Sequence, residues 1–197
     1  MQNEQLEELL LQAFETEKCG VQVYEAALAC AQNDELREEW QKYLEQTRDH
    51  VEVVEGLLRT FQIDPERESA GREVVRQLGR ALVEAIHAAE SNSDKDSAQV
   101  VAAECVVLAE SKDHLNWELL GEAARKLEGQ QGDALREAHA KVEEQEDEHL
   151  YHSSGWAREL WIETLGMPAV LPPPEEERDV KTAIGAARAK LAREKLI

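Results

Sequence analysis

The chain has 197 residues, 42% of them hydrophobic, and its 42 acidic residues against 22 basic ones give a formal charge of −20. This length favours one domain with a full hydrophobic core, and the negative field argues against nucleic acid or an anionic membrane surface as a partner. No apolar run is long enough to span a membrane, and the first ten residues lack the pattern of a secretory signal. Cys19, Cys30 and Cys105 form no CxxC pair. We therefore expect a cytoplasmic protein with reduced thiols and no thiolate metal knuckle.

Helical periodicity of apolar residues predicts five helices before the first proline cluster. They cover residues of about 3–31, 34–63, 68–89, 96–126 and 135–165, with breaks at Pro65, at SNSDKDS and at GQQGDA. Long helices joined by short turns pack as antiparallel neighbours. The pattern predicts an all-α fold, an antiparallel four-helix bundle of two hairpins joined by a helical crossover, over residues 1–166.

The last part of the chain differs from the rest in composition. Residues 167–174 contain Pro168 and the triplet Pro172-Pro173-Pro174, and residues 180–197 hold five basic residues and one acid. We interpret residues 167–197 as a proline-rich linker and a basic C-terminal helix. Opposite charge predicts that this helix docks on acidic surface of its own chain or of a second copy, so a homodimer is plausible.

Similar residue patterns recur in the two predicted hairpins. Glu17 and Glu110, 93 residues apart, are each followed seven positions later by an aromatic residue and then by a glutamate. An acid–histidine dipeptide ends at His50 in the second helix and at His149 in the last, 99 residues apart. The hairpins therefore read as diverged copies of one unit.

The repeated polar residues lie on the apolar faces of their helices. Ionisable groups directed from four helices into one core are costly unless they neutralise one another or hold a cation. Glu-x-x-His spacing, as in Glu146 and His149, brings both side chains to one face. Such a set predicts either a metal site or a metal-free polar network. Its members are Glu17, His50, Glu110, Glu146 and His149.

These patterns resemble the ferritin-like superfamily, in particular its rubrerythrin-type branch and the stress-associated YciF-type proteins. The segments that carry the likeness are ETEKCGVQVYEAAL, EQTRDHVEVVEGLL, LAESKDHLNWELL and EEQEDEHLYH. The resemblance implies a di-iron carboxylate site, with Glu17, His50, Glu110, Glu146 and His149 as metal ligands. Iron is the implied cofactor, as a di-iron or mono-iron centre, and manganese or zinc is an alternative.

The chain departs from that pattern at Thr47, where a metal-binding copy would carry glutamate. Gln46 is neutral, and Glu45 is rotated by about 140° from His50 around the helix. His114, four residues after Glu110, is a possible replacement ligand. We expect the position nearest Glu110, Glu146 and His149 to be the better occupied, and Thr47→Glu to raise metal stoichiometry.

Two functions remain open at the level of sequence. The first is a metal-binding protein with ferroxidase or peroxide-scavenging oxidoreductase activity, for which the missing CxxC would require an external electron donor. The alternative is a degenerate, catalytically inactive bundle that serves as an oligomeric or partner-binding scaffold. Thr47 favours the scaffold, whereas the retained carboxylates and His149 favour metal binding.

Overall fold

The computed structural model describes residues 3–168, and these residues form an all-α fold without strands. Its five helices are α1 (Asn3–Cys30), α2 (Asp34–Thr60), α3 (Ala70–Asn92), α4 (Lys95–Ala124) and α5 (Gly129–Thr164). The prediction of five helices is confirmed. The predicted basic helix over residues 180–197 lies outside the described residues.

Helix boundaries follow local capping chemistry. The side chains of Asn33, Ser69 and Asp94 accept hydrogen bonds from backbone N–H groups in the first turns of α2, α3 and α4, which satisfies donors left free at a helix start. After α2 the chain turns at Gln62, which has a φ of 58°. The predicted break at SNSDKDS is short, because only the C-cap Ser93 and the N-cap Asp94 separate α3 from α4.

The predicted break at GQQGDA is wrong, because α5 already begins at Gly129. Gly129 has a φ of +71°, and a Cβ at Gly132 would lie 2.3 Å from the carbonyl oxygen of Leu127. Glycine at these positions therefore permits a tight reversal directly into the first turn of α5. The glycines shape the start of the helix here and do not separate it from the preceding loop.

The helices contact one another in a defined pattern. Contacts link α1 to α2, α2 to α5, α5 to α4 and α4 to α1, so these four helices surround a common interior, and α3 packs on α1 and α4. Buried Arg72 fastens α3, since its Nε lies 2.7 Å from Glu15 Oε2 of α1. Arg76 Nε lies 2.9 Å from the other oxygen of the same carboxylate.

The apolar core has two parts. One contains Leu10, Val54 and Leu120, and the other contains Trp40, Tyr43 and Trp156. The buried polar residues of α1, α2, α4 and α5 are not members of either part. The interior therefore includes a polar cluster in addition to its two apolar regions.

Candidate metal centre

All five residues predicted as ligands are buried, each at most 2% exposed. They extend from four different helices, so the site is built by tertiary packing and not by one segment. The set comprises Glu17 of α1, His50 of α2, Glu110 of α4, and Glu146 and His149 of α5.

Glu146 lies at the centre of this cluster. Its Oε1 atom is 2.9 Å from Nδ1 of His50 and 3.7 Å from Nδ1 of His149. His149 Nδ1 is also 3.5 Å from Glu110 Oε2, and His50 Nδ1 is 3.7 Å from Glu17 Oε2. One carboxylate thus connects the two imidazoles, and each imidazole adjoins a further carboxylate.

Asp113 is a sixth member that the sequence interpretation missed. It is 4% exposed on α4, three positions after Glu110 and therefore on the same helix face. The ligand atoms form two groups, and within each group they all lie within 4.8 Å of one another. One group contains Glu17, Asp113 and Glu146, and the other contains His50, Glu146 and His149. Asp113 therefore provides a carboxylate next to Glu17, whereas Thr47 stands where the resemblance implied a glutamate.

Two glutamines orient the imidazoles. His50 Nε2 lies 2.7 Å from Gln145 Oε1, and His149 Nε2 lies 3.0 Å from Gln46 Oε1. Because an amide oxygen only accepts hydrogen bonds, this orientation assigns the imidazole hydrogens to Nε2 and leaves the Nδ1 lone pairs directed at the carboxylates. Gln46 and Gln145 are 99 residues apart, like the histidines, and that shared offset is the signal that could have found them.

The atoms directed into the cluster lack hydrogen bonds from residues 3–168. They are Glu17 Oε2, His50 Nδ1, Glu110 Oε2, Asp113 Oδ1, both oxygens of Glu146, and His149 Nδ1. Unpaired buried polar atoms are rare in folded proteins because each costs about 1–3 kcal/mol. Their convergence on one region indicates that a further group, a proton or a cation, is needed there.

Three carboxylates of this cluster resist ionisation. Burial raises the pKa of Glu17, Asp113 and Glu146 well above the ordinary range, and their mutual negative charges raise it further. Burial also lowers the pKa of His50, so its imidazole is neutral at pH 7. A divalent cation bound here would neutralise the ionised carboxylates and accept the Nδ1 lone pair of His50, so one ligand would offset both unfavourable effects of burial.

Aromatic side chains surround and position the polar groups. Trp117 Nε1 donates a hydrogen bond to Glu17 Oε1 at 2.8 Å, and the ring of Tyr43 lies against His149 with centroids 4.3 Å apart. Tyr43 in turn donates to Glu39 at 2.5 Å, and His152 Nδ1 lies equally close to the same oxygen. Burial would raise the pKa of Glu39, but hydrogen bonds from His152, Tyr43 and Trp156 lower it.

Thr47 and His114 take other roles. The Thr47 hydroxyl donates to the backbone oxygen of Tyr43 at 2.8 Å, and its methyl group lies 3.2 Å from where a Cβ at Gly20 would stand. His114 Nε2 lies 2.9 Å from Asp147 Oδ1 and belongs to neither ligand group. Thr47 therefore fills the α1–α2 contact, and His114 is placed apart from the cluster.

Comparison of the chain with protein-family models, curated proteins and solved structures finds no significant match. Over residues 3–168, none of the helices has the length and apolarity needed to cross a bilayer. The buried cluster is therefore the feature that indicates a function. Its donor set is oxygen and imidazole nitrogen without thiolate, which suits iron, manganese or zinc.

Proposed function

We propose that this chain is a ferritin-like metal-binding protein that holds two divalent cations, iron or manganese, in its core. The observation that carries the proposal is the cluster of unpaired carboxylate oxygens and imidazole Nδ1 atoms, with both imidazoles oriented by glutamine. The same residues that the resemblance implied as ligands are those that converge here.

Charge balance supports two ions. Four buried carboxylates, those of Glu17, Glu110, Asp113 and Glu146, carry four negative charges when ionised, and the two imidazoles are neutral ligands. Two divalent cations neutralise that charge. Glu17 and Asp113 would hold one ion, and the two imidazoles with Glu110 would hold the other, while Glu146 lies within reach of both. With Asp113 present, we expect both positions to fill.

The helix packing supports the ferritin-like architecture. In this proposal α1, α2, α4 and α5 form the four-helix bundle, and α3 is the crossover between the two hairpins. The closed cycle of contacts among the four helices, with α3 outside on α1 and α4, is what that topology requires. The duplicated placement of His50 and His149 supports a pseudo-twofold relation between the hairpins.

Iron bound in this setting would supply oxidation chemistry with O₂ or peroxide, as a ferroxidase or a peroxide-scavenging oxidoreductase. The chain's own contribution is binding and orientation. Gln145 and Gln46 fix the imidazole tautomers, and Trp117 holds Glu17 in place. Turnover would need an external electron donor, because the three buried cysteines form no CxxC pair that could hold a thiolate iron centre.

A second candidate is the scaffold without metal, and one distance favours it. His50 Nδ1 and Glu146 Oε1 are 2.9 Å apart, which is close enough to share a proton. Protonated carboxylates would then satisfy part of the cluster without any cation. The two candidates differ in metal content and in their response to loss of a carboxylate.

The test is metal analysis of protein purified without chelator and of apoprotein reloaded anaerobically with Fe²⁺ or Mn²⁺. We expect about two ions per chain in the wild type and fewer in Glu110→Gln. Glu104→Gln, which neutralises an exposed acid on the same helix, is the matched control and should load like the wild type. Wild-type protein that binds no metal beyond background would contradict metal binding and favour the scaffold.

A further inference from the structure

A groove between α4 and α5 leads from the surface toward the candidate metal centre. It encloses a cavity of ≈ 440 Å³, and Glu146 and Trp117 are among the residues that line it. Both are 1% exposed, so they form the inner end of the groove. The α4–α5 groove therefore adjoins the carboxylate that both ligand groups share.

The outer part of this groove is strongly acidic. Glu118, Glu143 and Asp147 line it, and their side chains are 63%, 64% and 51% exposed. Arg125 also lines the groove, but its guanidinium is paired with Glu122. A narrow acidic groove with low-dielectric walls concentrates cations and repels anions.

Two histidines line the same groove. His114 Nε2 lies 2.9 Å from Asp147 Oδ1, and His139 Nδ1 lies 3.4 Å from Glu143 Oε2. Each pair combines a nitrogen and an oxygen donor on the path from solvent to Glu146. Two such donors bind a divalent ion weakly, which permits capture and onward transfer.

An acidic groove alone would not indicate a ligand, but its inner end does. Both oxygens of Glu146 are buried and have no hydrogen-bond partner among residues 3–168. We propose that the α4–α5 groove is the entry route of the metal, that it admits hydrated divalent cations and discriminates against anionic metal chelates, and that Asp147 with His114 forms a transient outer ligand pair. This inference rests on the proposed metal-binding function.

The experiment measures loading kinetics of the full chain with Co²⁺, followed by stopped-flow tryptophan fluorescence. Glu118→Gln/Glu143→Gln removes two charges from the groove, and Glu84→Gln/Glu90→Gln removes two exposed charges from α3 as the control. At low ionic strength we expect the groove variant to load on the order of tenfold more slowly and the control to load like the wild type. Added salt should narrow the difference.

A steric variant tests the path independently of charge. Leu119 lines the groove and is 45% exposed, so Leu119→Trp should narrow it without disturbing the core. We expect slower Co²⁺ loading and slower release to a chelator, at unchanged stoichiometry. Charge and steric variants that load at the wild-type rate would overturn the entry route, as would equal slowing by the α3 control. Wild-type protein that binds no Co²⁺ at equilibrium would instead overturn the proposed function and this inference with it.

Discussion

Replacing Glu146 by glutamine removes the carboxylate that both ligand groups share while keeping the size of the side chain. The substitution should stabilise the metal-free protein and destabilise the metal-loaded protein. Metal-free, the variant loses a negative charge that burial and the charges of Glu17 and Glu110 disfavour. Metal-loaded, it loses a ligand that lies within reach of two ions.

The metal-dependent effect can be estimated from linkage. At a free metal concentration one hundred times the dissociation constant, each bound ion stabilises the fold by about 2.7 kcal/mol, so two ions contribute about 5.4 kcal/mol. For a domain of this size, 1 kcal/mol corresponds to about 2–4 °C in melting temperature. We therefore expect Mn²⁺ to raise the wild-type melting temperature by about 11–22 °C if both positions fill, or by about 5–11 °C if one does, and to leave the melting temperature of Glu146→Gln nearly unchanged.

The metal-free effect depends on pH. Because the pKa of Glu146 is raised in the folded state, its contribution to stability is full below its ordinary value of 4.5 and is lost as pH rises toward the raised pKa. In that interval the titration of this one group lowers the wild-type free energy of unfolding by up to about 1.4 kcal/mol per pH unit. Glutamine does not titrate, so the metal-free variant should be as stable as the wild type at pH 4 and more stable than the wild type at pH 7.5.

Thermal unfolding by circular dichroism at both pH values, in chelator and in Mn²⁺, measures all of these quantities. Glu144→Gln neutralises an exposed acid two positions away and should behave as the wild type throughout. A Glu146→Gln protein that keeps the full Mn²⁺-dependent increase would refute the shared-ligand assignment. A metal-free variant that melts below the wild type at pH 7.5 would show that the carboxylate is a structural partner and not a strained ligand.

Further predictions concern the groups around the cluster and helix α3. Gln145→Ala should weaken Mn²⁺ binding by about 10–100-fold, because the histidine it orients is released; calorimetry measures this, and unchanged affinity would contradict the orienting role. Mn²⁺ binding to the wild type should weaken from pH 7.5 to 5.5 and release protons, as carboxylates of raised pKa exchange protons for metal; calorimetry in two buffers of different ionisation enthalpy should show that release. Trp117→Phe should lower the free energy of unfolding in urea by about 1.5–3 kcal/mol, whereas Trp161→Phe, at an exposed hydrogen bond, should change it little. Arg72→Met should cost about 3 kcal/mol in the same assay, because it leaves a buried carboxylate with one partner fewer; a loss below about 0.5 kcal/mol, the range of ordinary surface substitutions, would contradict the anchoring role.

The number and approximate ranges of the helices, and the burial of the five candidate ligands, could be predicted from sequence because both depend on local patterns, whereas the start of α5 at Gly129 could not. A residue advances about 100° per position around a helix, so a glutamate such as Glu17 on an apolar face can be recognised without knowing which helix faces it. The repeat between hairpins then linked Glu17 to Glu110 and His50 to His149.

The rest of the cluster depends on how the helices are shifted against one another. The partner of His50 is Gln145 on α5, 95 residues away, and no pattern within either helix specifies that pairing. The similarity between the first and second halves of the chain does not single out Asp113, because the corresponding residue 93 positions earlier is Gly20. Asymmetric substitutions of this kind are invisible to a search for self-similarity.

The two glutamine–histidine contacts both join α2 to α5, since Gln145 of α5 reaches His50 of α2 and Gln46 of α2 reaches His149 of α5. Neither helix supplies the glutamine that orients its own imidazole. A small displacement of α2 relative to α5 would therefore release both imidazoles together, so the tautomers of the two histidines depend on one helix–helix contact.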